Sequence, residues 1–164
     1  MRRKDREITD RREIEEIIKR ASVCRLGFVD DDQPYVIPLN FGYEKNALYF
    51  HWALEGRKVE LIKKNNKVCF EIDIDVQPAA LTRKGCGGYY CTTKYRSVIG
   101  TGRAYILDND KEKAHGLGVL VRHYYAVISK PYVEEECDFS KANLDSVLVV
   151  KVEIESMTGK KSGY

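Results

Sequence analysis

Gly56-Arg57-Lys58 places two cations at the start of an amphipathic segment that continues through Val59, Leu61 and Ile62. A helix start collects unpaired N–H groups and the positive end of the dipole, so two cations added there make an anion site, for which phosphate is the usual occupant. The same pair also reads as ordinary solvated cations, which oppose the helix dipole by roughly a few tenths of a kcal/mol. His51 stands six residues before Arg57. An imidazole can carry or release a proton near neutral pH, although a lone strand histidine is more often structural than catalytic. Cys86 and Cys91, at C-x4-C, could join His115 and His123 as zinc ligands. That spacing fits no structural zinc pattern, and no metal is expected. Asp30-Asp31-Asp32 reads as a turn between antiparallel strands, and Gly100-Thr101-Gly102 lacks the strand–loop–helix context of a dinucleotide fingerprint.

The elements that must position these residues follow from periodicity. Tyr35 to Tyr43 reads as one strand, which Pro38 confines to an edge, a bulge or a place where something other than a strand approaches. Glu44-Lys45-Asn46 turns the chain, and Ala47 to His51 alternates, with Leu48 and Phe50 opposite Tyr49 and His51. Upstream, Asp10 and Glu13 suggest a capping box before a helix striped by Ile14, Ile17, Ile18 and Ala21, and Cys24 to Val29 forms a strand.

Downstream, Lys67 to Ile74 is a strand, and Asp75 to Tyr90, with Pro78, Gly85, Gly87 and Gly88, is expected to be a long loop. Thr92 to Leu107 forms a long strand in which Gly100 and Gly102 leave room for a backbone or a ligand. Asp108 is expected to cap a helix running to about Tyr125, weakened by Gly116 and Gly118 and ending in the polar-aromatic cluster Arg122-His123-Tyr124-Tyr125. Pro131 to Asn143 reads as loop, and Leu148 to Ile154 as a last half-buried strand. The absence of βαβ alternation argues for a small barrel, mainly β with flanking helices.

The chain of 164 residues suits one domain spanning 1–164, and its 43% hydrophobic and 32% charged content is ordinary for a globular fold. Its net charge of +3 does not argue for nucleic acid; MRRKDR and GKKSGY read as solvated, frayed ends. Five cysteines without framework spacing, and no signal peptide or membrane-length apolar run, imply a reduced, cytoplasmic setting. Eleven tyrosines against five phenylalanines tilt toward a sheet with an aromatic-lined cleft.

VIPLNFGYEKNALYFHWALEGRKVELI resembles the FMN-binding split-barrel superfamily of the pyridoxamine phosphate oxidases. Within it the likeness is strongest to the nitroimidazole-resistance family, with its P-L-N-F-G-Y strand, L-Y-F-H and G-R-K. Val23 to Phe28, Val68 to Glu71 and Tyr95 to Gly102 continue the likeness, which covers most of residues 1–107 and thins out beyond.

The resemblance implies a six-stranded antiparallel split β-barrel, a homodimer with FMN in two clefts between subunits. It implies that Arg57 and Lys58 hold the FMN phosphate, while the backbone of Ile37, Pro38, Leu39 and Asn40 runs along the flavin ring. Tyr95, Ser97 and Val98 correspond to the segment that closes the site, from the same chain or across the dimer. His51 matches the family's histidine near the flavin, as proton donor or positioner of a small-molecule substrate. Trp52 departs from the small or hydroxylated residue often found there, which puts a phosphate contact at this position in doubt and leaves the indole to cover the ring.

The function this implies is an FMN-dependent oxidoreductase reducing a small electrophile such as a nitro group, with electrons from an outside donor. A flavin-binding or storage protein without turnover uses the same residues. Pyridoxamine phosphate oxidation itself is disfavoured, because GKKSGY does not show that family's basic C-terminal pattern. A nucleic-acid role for surface tyrosines and basic termini is disfavoured by the modest charge. The superfold also serves haem and deazaflavin.

Overall fold

The computed structural model describes residues 2–82, 89–131, 137 and 139–164, with backbone only for 80–82, 89 and 90. In chain order the elements are β1 (Glu7–Ile8), α1 (Arg11–Arg20), β2 (Cys24–Asp30), β3 (Gln33–Leu39), β4 (Gly42–Glu44), β5 (Ala47–Trp52) and α2 (Arg57–Lys64). There follow β6 (Lys67–Thr82), β7 (Tyr89–Leu107), α3 (Asp110–Val127), α4 (Lys141–Asp145) and β8 (Leu148–Ser162). The strands form one antiparallel sheet of order β3-β2-β6-β7-β8-β5-β4, with β1 beside β8. The expected six strands are the six long ones; β1 and β4 are short additions. No ladder joins β3 to β4, so the sheet curls around its core as an open, split barrel.

The split explains one difference from the sequence reading. Tyr35 to Tyr43 is two strands, because the chain breaks at Asn40 and Phe41 to cross from one end of the sheet to the other. Phe41 turns inward there, fully buried, its ring 4.6 Å from that of His123. Pro38 does lie on an edge strand, since β3 has a partner only in β2. The β4–β5 turn has Lys45 at φ 48° and Asn46 at φ 63°. Two consecutive positive φ values give the twist that joins antiparallel strands tightly.

Alternation fills the core as expected. Leu48, Phe50 and Trp52 of β5 face Leu26, Phe28, Phe70, Ile72, Val98, Val150 and Val152. Each such side chain contributes about 1.5–3 kcal/mol on burial. Helix α1 adds Ile14, Ile17 and Ile18, and α2 adds Val59, Leu61 and Ile62. Asp10 caps α1 by accepting from Arg12 N at 2.8 Å, whereas Glu13 takes Lys161 Nζ at 2.7 Å instead of completing a capping box.

The segment expected to loop from Asp75 to Tyr90 is instead mostly two arms of a hairpin. A bulge between Ile74 and Gln77, with Asp75 at φ 56°, absorbs the register shift, and Pro78 then sits opposite Thr93. Gly85, Cys86, Gly87 and Gly88 lie outside the described residues, as do Glu134, Glu135 and Glu136. Residues 2–5 are exposed as expected, but the chain is held from Glu7 on, and the C-terminal GKKSGY is tied to the sheet rather than frayed. Glu7 and Ile8 pair with Lys160 and Gly159, β8 runs on to Ser162, and Tyr164 Oη donates to Asp75 O at 2.7 Å. Backbone pairing is indifferent to the charges that made these ends look solvated.

Asn109, one residue after the expected cap, accepts from Lys111 N and Glu112 N and starts α3. Gly116 is what lets α3 lie against the sheet, since a Cβ there would meet Val149 Cγ1 at 2.7 Å. Gly100 and Gly102 make room for the Phe70 ring and the Glu153 backbone. No helix among the described residues is long and apolar enough to cross a membrane.

Candidate functional site

The head of α2 is built differently from the heads of α1 and α3. Its N-cap is Gly56, at φ 126°, with no side-chain cap. The Arg57 guanidinium lies 4.5 Å from the centre of the Tyr35 ring and donates to Asp30 Oδ2 from Nε at 3.1 Å and Nη2 at 2.9 Å. Lys58 Nζ sits 5.5 Å from the Trp52 ring centre. Both cations thus rest on aromatic faces, an arrangement worth about 0.5–1 kcal/mol each at exposed sites. Below them Tyr35, Phe28 and Trp52 form a chain of rings with centroids 5.9 and 6.0 Å apart.

Trp52 is 2% exposed, and its Nε1 has no hydrogen-bond partner among the described residues. A buried donor left unpaired costs about 1–3 kcal/mol. The indole is therefore part of the floor under Lys58 rather than a cover over a surface-bound ring.

A second feature lies at the split. Asn40, just past β3, and His51 of β5 line one cavity of about 450 Å³ with Leu117, Leu120, Val121, Tyr124 and Tyr125 of α3. His51 points outward from β5 and is exposed, whereas its alternation partner Tyr49 is covered by α3. Gly42 permits the close contact of α3 with β4, because a Cβ there would lie 2.8 Å from Leu120 N and Cα. Apolar walls, two phenol-bearing residues and one imidazole suit a flat, weakly polar molecule with a proton-transfer group beside it. The cavity therefore draws on the very cluster that the sequence placed at the end of α3. His123, from the same cluster, turns inward: its Nε2–H donates to Ala21 O at 2.8 Å, and burial holds its pKa below the ordinary value.

The remaining residues picked out by resemblance fall into two groups. Ile37 and Leu39 pack half-buried on the core and Pro38 is exposed, and the outer backbone edge of β3 has no strand partner. Tyr95, Ser97 and Val98 lie on β7 between β6 and β8, away from the residues lining the split cavity. Val98 is fully buried in the core, so its side chain is closed to any ligand, and Tyr95 lies 5.7 Å from Lys160 Nζ. Among the described residues no group of three or more His, Cys, Asp or Glu is arranged to hold a metal, and Cys86 lies outside them.

Asp30 and Tyr35 have no signature in the sequence as site residues. Asp30 belongs to an acidic turn and Tyr35 to a strand start, and only the β2–β3 hairpin brings them to Arg57.

Comparisons with known proteins agree with this architecture. A candidate 5-nitroimidazole antibiotic resistance protein from Bacteroides thetaiotaomicron superposes with a TM-score of 0.77 at 32% identity, over 94% of this chain and 85% of that one. An FAD- and haem-binding protein from Mycobacterium smegmatis superposes with a TM-score of 0.79 at 16% identity, over 97% of this chain and 74% of that one, a likeness of fold alone. An uncharacterised protein of Rhizobium meliloti is 25% identical over 96 residues, 58% of this chain; the match spans about half, 54%, of that relative's length. The pyridoxamine 5'-phosphate oxidase family model matches residues 10–161. With nearly the whole split-barrel sheet inside that match, the chain belongs to the pyridoxamine 5'-phosphate oxidase family.

Proposed function

We propose that this chain, as one domain over 1–164, is a flavoprotein that binds FMN and reduces a small electrophile such as a nitroimidazole. The observation that carries the reading is the head of α2: a glycine-capped helix start with no side-chain cap and two cations on aromatic faces. Those groups fit a phosphate monoester. Arg57 offers a planar fork, Lys58 a point charge, and the first-turn N–H groups of α2 complete an anion cradle.

The unpaired edge of β3 at Ile37 to Leu39, and Asn40 beyond it, would bond the polar edge of the flavin ring. When bound, the flavin supplies hydride or electron transfer. The chain's own contribution is position and protons. The apolar wall of α3 flanks the split cavity, and Tyr124 and Tyr125 would align a flat substrate. His51 holds or releases a proton at its cavity-facing ring nitrogen. Phosphorylated substrates suit this cavity poorly, since no Lys or Arg lines it among the described residues. The relative from Bacteroides supports a nitroimidazole-type substrate, and membership of the pyridoxamine 5'-phosphate oxidase family supports a flavin.

A homodimer completes the site in this reading, bringing Tyr95 and Ser97 of one protomer to the flavin of the other. The outer sheet face supports it: Val29, Val36 and Ile99 are 51%, 59% and 56% exposed. They share that face with the ion-paired Arg25, Glu71 and Asp73, so a dimer contact there would be mixed apolar and charged. The free thiols of Cys24, Cys69 and Cys91 accord with a cytoplasmic setting.

The test is His51→Ala loaded with FMN. It is expected to retain the flavin and lose turnover of a nitroimidazole with a chemical or enzymatic electron donor; unchanged turnover would remove His51 from the reaction. Absence of turnover in the wild type with every donor, with FMN still bound, would favour the storage reading.

A further inference from the structure

A groove of about 510 Å³ runs between the end of α2, the start of β6 and the end of β7. It is lined by Lys63, Lys64 and Lys67, by Arg103, and by Asn65, Asn66 and Tyr105, with no carboxylate among its lining residues. The chain as a whole is nearly balanced, with 28 basic against 25 acidic residues, so this is a local concentration of charge. Two of the cations have a local reason to be there, because Lys63 and Lys64 fall in the last turn of α2, where the dipole favours them. Of the other two, Arg103 has Glu153 as its cross-strand partner on β8, whereas Lys67 has no acidic cross-strand partner among the described residues. Lys67 and Arg103 are direct cross-strand partners in the β6–β7 ladder, and like charges placed directly opposite destabilise a sheet.

Partial neutralisation comes from the rim. Lys63 reaches Glu60 at 3.4 Å, and Arg103 reaches Glu155 at 2.7 Å, both pairs well exposed. Lys64 and Lys67 have no carboxylate within ion-pair distance among the described residues. Asn65 Oδ1 accepts from Lys67 N at 3.1 Å, and Asn66 Oδ1 accepts from Arg103 Nη1 at 3.5 Å, which turns the two amides' acceptors to the protein. Tyr105 stands in the wall, 41% exposed.

We infer that this groove is a second ligand site, distinct from the head of α2, for a small molecule carrying two or more phosphates and a flat ring: a nucleoside polyphosphate. The phosphates lie among Lys64, Lys67 and Arg103, relieving the like-charge pair. The base stacks on Tyr105. The volume accommodates a nucleotide. Helix α2, about 12 Å long at 1.5 Å per residue, separates this groove from Arg57 and Lys58, so both sites can be filled together.

The test is calorimetric titration of the FMN-treated protein with ATP, inorganic tripolyphosphate and a short single-stranded RNA. ATP is expected to saturate one site per chain. Lys67→Glu is expected to weaken it about tenfold or more, as loss of a charge-assisted contact does, and Lys67→Arg to retain it. Tyr105→Ala is expected to bring ATP down to the affinity of tripolyphosphate, a loss of about fivefold or more. Retained flavin absorbance in every variant shows that the fold and the other site are intact.

Failure of ATP and tripolyphosphate to saturate at millimolar concentration overturns the proposal, as does an ATP affinity lost in Arg57→Ala but kept in Lys67→Glu. RNA bound more tightly than ATP, with affinity rising with its length, overturns it in favour of a polymer track.

Discussion

In the proposed FMN site, Asp30 holds the Arg57 guanidinium fork that the phosphate would engage. Both donors of Arg57 that reach it converge on one oxygen, so anion binding must displace a carboxylate from the guanidinium fork. The Arg57 side chain is 55% exposed and Asp30 25%, which makes this a surface ion pair. Such pairs are worth about 0.2–1 kcal/mol. Asp30→Asn keeps the side-chain shape and removes the competing charge, and is expected to tighten FMN by roughly 1.4- to 5-fold at low salt, since about 1.36 kcal/mol is a tenfold change. Arg57→Ala is expected to weaken FMN about tenfold or more by removing a charge-assisted bond. In the double variant the gain from Asp30→Asn should vanish, because the two side chains act through one contact.

Trp52, the single tryptophan, lies under Lys58 and makes its fluorescence a direct reporter of this site. Riboflavin, which lacks the phosphate, serves as the control: its affinity should not respond to Asp30→Asn. A tighter grip on riboflavin equal to that on FMN, or weaker FMN binding in Asp30→Asn, would show that Asp30 does not compete with the phosphate.

Three further outcomes follow from other parts of the fold. Burial holds the His123 imidazole below its ordinary pKa, so it is neutral in the fold while the unfolded chain takes up a proton near pH 6.5. Its contribution is therefore complete above about pH 6.5 and falls away with acidity, and His123→Asn should flatten the dependence of Tm on pH below that point. Gly42→Ala would drive a Cβ into the Leu120 backbone at 2.8 Å and is expected to cost about 1–3 kcal/mol, read as a lower denaturant midpoint at unchanged m. Replacing Val36 and Ile99 together by Asp, on the exposed outer face, should halve the mass seen by light scattering and release bound FMN if the dimer completes the site.

Local pattern carried much of the fold. The stripe of Ile14, Ile17 and Ile18, the alternation through β5 and β7 and the Glu44-Lys45-Asn46 turn were all legible, because each is set by residues close in sequence. What was not legible depends on partners far along the chain. Nothing in the alternation of Tyr35 to Tyr43 marks the crossing at Asn40, since the break answers to where the sheet ends rather than to local propensity. Pro78 made the start of the β6 arm look like loop, because the bulge at Asp75 that precedes it leaves no compositional trace.

The site divides the same way. Arg57, Lys58 and His51 were visible as chemistry, whereas Asp30, Tyr35 and the α3 wall of Tyr124 and Tyr125 arrive only through tertiary packing.

The central claim rests on a flavin held by the head of α2, and the visible absorption spectrum of the purified protein, after loading with FMN and removal of the excess, tests it most directly. The account predicts a retained flavin band at about one per chain, reduced to trace in Arg57→Ala combined with Lys58→Ala. A Soret-type band in its place, or no chromophore retained by the wild-type chain, would contradict it.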